Sequence, residues 1–233
     1  MSLTVLWEDN HLLAVQKPAG MPSQRDQTGD PCMVDLATEY IRQKYQKPGN
    51  VYCALLHRLD RPVAGVLLLG KTSKAAARLS EQFQKGTVQK TYLALTQGTP
   101  PEQEGELFHY LRKLPTKNVV RWHNRPTDGA LEARLRYNVL GTQGGTTLLH
   151  IEPLTGRQHQ IRVQCAAMGC PLLGDVKYGA AQPLGDRSIG LLAWQIEVQH
   201  PTTLQPLIVH AQPPAQSWWQ QVRGLFPQTL NGS

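Results

Sequence analysis

The chain has 233 residues, 40% of them hydrophobic and 18% charged, with 24 Lys and Arg against 17 Asp and Glu for a net charge of +7. That mix suits one large or two small globular domains and excludes a disordered chain. No apolar run approaches the roughly 20 residues that span a bilayer, and Met1 to Asp9 lacks the basic opening of a secretion signal, so the sequence predicts a cytoplasmic protein with no membrane association.

A basic excess points to a polyanion, nucleic acid first, although it also serves simple solubility. Cys32, Cys53, Cys165 and Cys170 form no paired motif and read as reduced, buried small hydrophobes.

Residues 4–15 predict a strand, a turn at Asp9-Asn10-His11 and a second strand, ended by Lys17-Pro18-Ala19-Gly20. A polar, turn-rich stretch runs to Pro31. Val34, Ala37, Ile41 and Tyr45 then recur at helical spacing until Lys47-Pro48-Gly49-Asn50. Val66 to Leu69, between Gly65 and Gly70, predicts a strand buried on both faces. Ser73 is the expected N-cap of a helix over 74–85 whose inner stripe is Ala76, Leu79 and Phe83, with Gly86 just past its end. Lys90 to Leu95 reads as another strand.

Residues 107–127 contain no Asp or Glu. They carry Arg112, Lys113, Lys117, Arg121 and Arg125, interleaved with Tyr110 and Trp122, and suggest an RNA-contacting loop or, equally, a solvated basic hairpin. Leu131 to Val139 alternates as a half-buried strand, and Gln143-Gly144-Gly145 turns into its partner over 146–153. A helix is expected over 158–168, then strands around 192–198 and 207–209, then a short helix near Trp218, Trp219 and Val222. Scattered strands with few helices between them predict an α+β fold, a mixed, largely antiparallel sheet with flanking helices. No linker divides the chain, so a single domain over 1–233 is expected.

Three stretches carry chemistry. Arg58, Asp60 and Arg61 stand just ahead of the buried strand. A carboxylate between two arginines at the edge of the interior stays ionised, as a nucleophile or general base must. A surface ion pair reads from the same residues. Leu154-Thr155-Gly156-Arg157-Gln158-His159-Gln160-Ile161-Arg162 opens a helix that Thr155 is placed to cap. Arg157, His159, Gln160 and Arg162 crowd its first turns and suggest a site for phosphate or for a buried carboxylate. Lys17 reads as a phosphate contact or as a strand-end charge, and Tyr92 as core filler. No zinc-like spacing, phosphate loop or nucleophile elbow is found.

These stretches resemble the RluA-type pseudouridine synthases, over about Val5 to Ala211. The resemblance rests on an ordered set: Lys17-Pro18-Ala19-Gly20; His57-Arg58-Leu59-Asp60 with Gly65; Lys90-Thr91-Tyr92; Thr155 to Arg162; Gly174-Asp175 with Tyr178-Gly179; and His200-Pro201. It implies a central bent, mostly antiparallel sheet and an enzyme that isomerises uridine in structured RNA, ribosomal or transfer, with no cofactor, no metal and no required protein partner. Asp60 would be the catalytic aspartate, Tyr92 a base-stacking residue and general base, and Arg162 the partner of Asp60. Arg58, His57, Lys17, Arg157, His159, Arg112, Lys113 and Arg121 would serve RNA binding. Gln164 stands where many relatives carry His, and Ala64 where Ser or Thr is frequent. The small N-terminal RNA-binding domain of some relatives is not expected. Two rivals are a non-catalytic RNA-binding or ribosome-assembly module on the same fold, and a nuclease using His57 and His159.

Overall fold

A computed structural model of the protein describes residues 3–114 and 118–227. Lys117, one of the expected RNA contacts, lies outside the described residues. In chain order the strands and helices are β1 (Val5–Glu8), β2 (Leu12–Lys17), α1 (Met33–Lys44), β3 (Ala54–Leu55), β4 (Ala64–Gly70), α2 (Ser73–Lys85), β5 (Gln89–Gln97), β6 (Glu104–Lys113), β7 (Val120–His123), β8 (Leu131–Gln143), β9 (Thr146–Pro153), α3 (Gln160–Ala167), β10 (Leu191–Gln199), β11 (Pro206–His210) and α4 (Ser217–Gln221). The α+β class stands. The chain divides into two compact units, Met1–Lys90 with Ala193–Gln212, and Thr91–Leu192 with Pro213–Ser233.

In the first unit the strand order is β1, β2, β4, β10, with β11 pairing β10. β2 and β4 run antiparallel, Leu13 opposite Leu69 and Val15 opposite Leu67. As the unbroken apolar run requires, β4 is buried from Gly65 to Gly70. Gly65 has φ +129°, and a Cβ there would overlap the Ala193 backbone, so only glycine lets β4 approach so closely. Ala37 and Ile41 of α1 and Leu79 of α2 complete this core. Thr72, rather than Ser73, caps α2, accepting the Ala75 N–H at 3.3 Å.

In the second unit the order is β5, β9, β8, β6, β7, every neighbouring pair antiparallel. Gly144 and Gly145, both at positive φ, make the two-residue turn between β8 and β9. Of the two readings of the basic stretch, the hairpin is the one found: β6 and β7 pair with Arg112 opposite Arg121. Its inner side packs Leu111 and Val120 against Ala133 and Val163. β7 ends the strand order, and α3 lies beneath the β6–β7 end of the sheet.

No helix among the described residues is long and apolar enough to cross a membrane.

Candidate active site

Asp60 lies on a tight turn before β4, its carbonyl accepting the Val63 N–H at 3.0 Å. Both neighbours are fastened to the segment 17–23. The Ser23 hydroxyl accepts the Leu59 N–H at 3.1 Å and donates to the Leu59 carbonyl at 2.9 Å. The Arg61 carbonyl accepts the Gly20 N–H at 2.8 Å and Lys17 Nζ at 3.1 Å. The backbone at Asp60 is therefore held from either side while its side chain is only half-buried. Preorganisation of this kind is what a catalytic carboxylate needs.

Lys17 corrects one expectation. It is 0% exposed, and Nζ donates to the carbonyls of Met21 at 2.7 Å, Pro18 at 2.9 Å and Arg61 at 3.1 Å. Three donors meet three acceptors, so the side chain is a buried brace and not a phosphate contact. Burial lowers its pKa to about 7, with the charge of Asp60 pulling the other way.

His57 is the second correction. Its Nε2 accepts the Leu68 N–H at 3.0 Å, and its ring stacks on Phe83 at 5.3 Å. Burial, helped by the charge of Lys90, lowers its pKa to about 3, so it is a neutral structural acceptor. With Nε2 taken up by the Leu68 N–H, His57 is not the free acid or base that a nuclease would need.

Arg61 turns to Asp30 at 2.8 Å and to Asp26 at 3.2 Å, so its charge is answered by that loop. Arg58 is exposed.

In the second unit, Arg162 is 5% exposed and meets Asp175, 2% exposed, through two parallel hydrogen bonds, Nε to Oδ2 at 2.7 Å and Nη2 to Oδ1 at 2.8 Å. The Tyr178 ring lies 5.1 Å from the guanidinium carbon. His159, three residues before Arg162, brings Nδ1 within 2.6 Å of the Tyr178 hydroxyl, so the two do share a face. His159, at φ +53°, is itself the residue that precedes α3. Thr155 does not cap this helix. Its Oγ accepts the Arg134 N–H at 2.9 Å and donates to Gln160 Oε1 at 2.8 Å.

Gln160 also accepts the Arg157 N–H and donates to the Arg134 carbonyl, both at 2.9 Å, which makes it a brace for the loop. Arg157 Nε leads away to the Glu132 carbonyl at 2.8 Å. The expected cluster of four polar groups at one helix end is thus dispersed, with only His159 and Arg162 kept together.

Tyr92 is half-buried on β5 opposite Ile151. Arg112 is half-buried, and Lys113 and Arg121 are exposed. Gln164 is fully buried and donates to the Leu107 carbonyl at 3.0 Å and the Ala133 carbonyl at 3.2 Å, tying α3 to β6 and β8. No group of three or more metal-ligating side chains gathers among the described residues.

Sequence reasoning missed Ser23, the bracing role of Gln160 and the pairing of Arg162 with Asp175. The Gly174-Asp175 and Tyr178-Gly179 pairs were visible signals for the last of these. Ser23 had none beyond its place in a polar turn.

Comparison with known proteins decides the family. The profile described as RNA pseudouridylate synthase matches residues 11–167. The chain belongs to this family. The relatives place it on the RluA-type branch. It is 34% identical over 220 residues to "Ribosomal large subunit pseudouridine synthase D" of Nitrosomonas europaea, covering 88% of this chain and 60% of that one. It is 33% identical over 254 residues to "tRNA pseudouridine synthase C" of Salmonella typhi, covering 97% and 92%. The solved structure of human "RNA Pseudouridylate Synthase Domain Containing 4" superposes with a TM-score of 0.78 at 24% identity, covering 95% of this chain and 92% of that one. This family member therefore shares the pseudouridine synthase fold, and the matched span contains Asp60, Tyr92 and Arg162.

Proposed function

We propose that this chain isomerises specific uridines of structured RNA, ribosomal or transfer, to pseudouridine, acting as one catalytic domain in the cytoplasm without a cofactor or an obligatory protein partner. The observation that carries the reading is the two-sided fastening of the Asp60 backbone, which leaves a half-buried carboxylate at a fixed place within the family span.

The target base is unstacked and extruded, at a cost of about a few kcal/mol that pocket contacts offset. Asp60, as carboxylate, promotes cleavage of the bond between the ribose and N1. The uracil turns, rejoins the sugar through C5, and a base removes the C5 proton. Tyr92 stacks on the base and relays that proton through its hydroxyl toward solvent. N1, released from the sugar, takes up a proton, so product and substrate are isomers. Arg162, oriented by Asp175, supplies fixed positive charge. The atoms of uridine are conserved, so the step needs no oxidant and no second substrate.

Arg112, Lys113 and Arg121 contact RNA phosphates. Like charges directly opposite each other destabilise a hairpin, and Arg112 stands directly opposite Arg121. A polyanion relieves that repulsion. Arg58 is exposed beside Asp60 and serves the same backbone.

Release of tritium from RNA labelled at uridine C5 tests the reading. The wild type releases it, and Asp60→Asn binds RNA with near-normal affinity and releases none. Binding without release by the wild type would leave the non-catalytic module as the answer.

A further inference from the structure

We propose that Tyr178 is a positioning residue that joins the β6–β7 hairpin to Arg162, so that the docking of RNA on the hairpin and the setting of the guanidinium are one event. The proposal rests on the reading of Arg162 as catalytic and of the hairpin as an RNA contact. It adds the residue that couples them.

Three groups meet at this one side chain. The hydroxyl accepts the Val120 N–H at 3.0 Å. Val120 opens β7, pairs with Lys113 and precedes Arg121. Among the described residues β7 ends the strand order, so one of its edges has no strand neighbour there. An edge N–H that is buried requires some other acceptor, and Val120 is buried. The Tyr178 oxygen is that acceptor. The same hydroxyl reaches His159 Nδ1 at 2.6 Å. A backbone N–H is only a donor, so the hydroxyl oxygen receives it and still has capacity for the hydrogen bond with Nδ1. The ring lies against the Arg162 guanidinium, 5.1 Å from its carbon.

The surroundings make the link stiff. Tyr178 packs on the cluster of Leu111, Val120, Ala133 and Val163, of which the first two belong to the hairpin and the last to α3. The Tyr178 and Ala180 N–H groups both donate to the Asp175 carbonyl, at 3.0 and 3.1 Å, so the turn that carries the tyrosine also carries the carboxylate gripping Arg162. On either side, Lys177 Nζ donates to the Asn118 carbonyl at 3.0 Å and Gln158 Nε2 to its Oδ1 at 2.9 Å. A hairpin displaced by RNA therefore pulls on the turn and on the first turn of α3 together.

The test uses Tyr178→Phe, which removes the hydroxyl and keeps the ring on Arg162. Single-turnover rates at saturating RNA are measured for it, for Arg112→Ala/Arg121→Ala, and for the triple variant. Tyr178→Phe is expected to lower the rate about 10-fold with RNA affinity within about twofold of wild type, since a small misplacement of a catalytic group is costly. The hairpin substitutions, which slow the wild type, are expected to cost little further rate in the Phe background, because residues in one network are non-additive. Fully multiplicative rate losses would overturn the coupling. So would a normal rate in a folded Tyr178→Phe whose Val120 amide exchanges faster with solvent.

Two controls separate this from the underlying reading. If Arg162→Ala turns over normally, the catalytic assignment of Arg162 falls and takes the proposal with it. If Arg162→Ala is inactive while Tyr178→Phe is normal, only the coupling falls.

Discussion

Arg162 and Asp175 meet edge to edge, Nε on Oδ2 at 2.7 Å and Nη2 on Oδ1 at 2.8 Å, in surroundings that leave both almost without solvent. Removing one charge strips the other of a buried two-point partner, and breaking such a pair costs about 3–5 kcal/mol. Asp175→Ala is therefore expected to lower the denaturant midpoint far more than a surface substitution does. Asp175→Asn, which keeps one acceptor oxygen, should lose less stability but still slow turnover, since the guanidinium loses a fixed orientation. Urea unfolding and single-turnover kinetics read the two effects separately.

Ser23→Ala removes both bonds to Leu59. Leaving buried backbone groups unpaired costs about 1–3 kcal/mol. The expected outcome is a modest stability loss and a larger fall in kcat than in RNA affinity, because the loosened element is the turn that carries Asp60. Comparing kcat with Kd for the same RNA checks it. A drop confined to affinity would remove Ser23 from the positioning of Asp60.

Replacement of Arg112, Lys113 and Arg121 together by Ala should weaken RNA binding and flatten its salt dependence. Each lost phosphate contact takes about 0.7–0.9 from the slope of log affinity against log salt. Titrations at several salt concentrations give the slope. An unaltered slope would place the phosphate contacts elsewhere.

Glu8 contributes to acid stability in the first unit. Burial opposes its ionisation, but hydrogen bonds from Lys44, Lys71, Tyr40 and Tyr45 prevail and lower the pKa from 4.5 to about 2. A carboxylate depressed in the folded state binds its proton first when unfolded. Its contribution is whole above about pH 4.5 and fades as pH falls toward 2. The stability gap between wild type and Glu8→Gln should accordingly narrow over that interval, as urea midpoints at pH 6, about 4 and about 3 will show.

Local signals carried far in this chain. β4 announced itself as an apolar run between glycines, α2 through its stripe and Gly86, and the β8–β9 turn through Gly144-Gly145. What stayed hidden depends on partners distant in sequence. Lys17 resembled an exposed strand end because one of its three carbonyls belongs to residue 61. Thr155 looked like a cap because its real partners, Arg134 and Gln160, are respectively far along the chain and beyond the expected helix start. The β6–β7 stretch read equally as a loop or a hairpin because cationic residues interrupt its alternation. Its apolar side, Leu111 and Val120, is visible only once α3 is beneath it. Asp60, Tyr92 and Arg162 came from ordered motifs; Asp175 stood in a later motif of the same set, but its grip on Arg162 emerges only once the chain is folded.

The four cysteines have a practical consequence. Cys32, Cys165 and Cys170 are buried, and burial holds Cys53 at about 11 and Cys165 at about 12, with Cys32 and Cys170 also raised. Almost none of these sulfurs is thiolate near neutrality, and thiolate is the reactive form. A single cysteine introduced at an exposed site on β7 would thus take a maleimide fluorophore against a quiet background, and hairpin movement on RNA becomes observable in the otherwise native polypeptide.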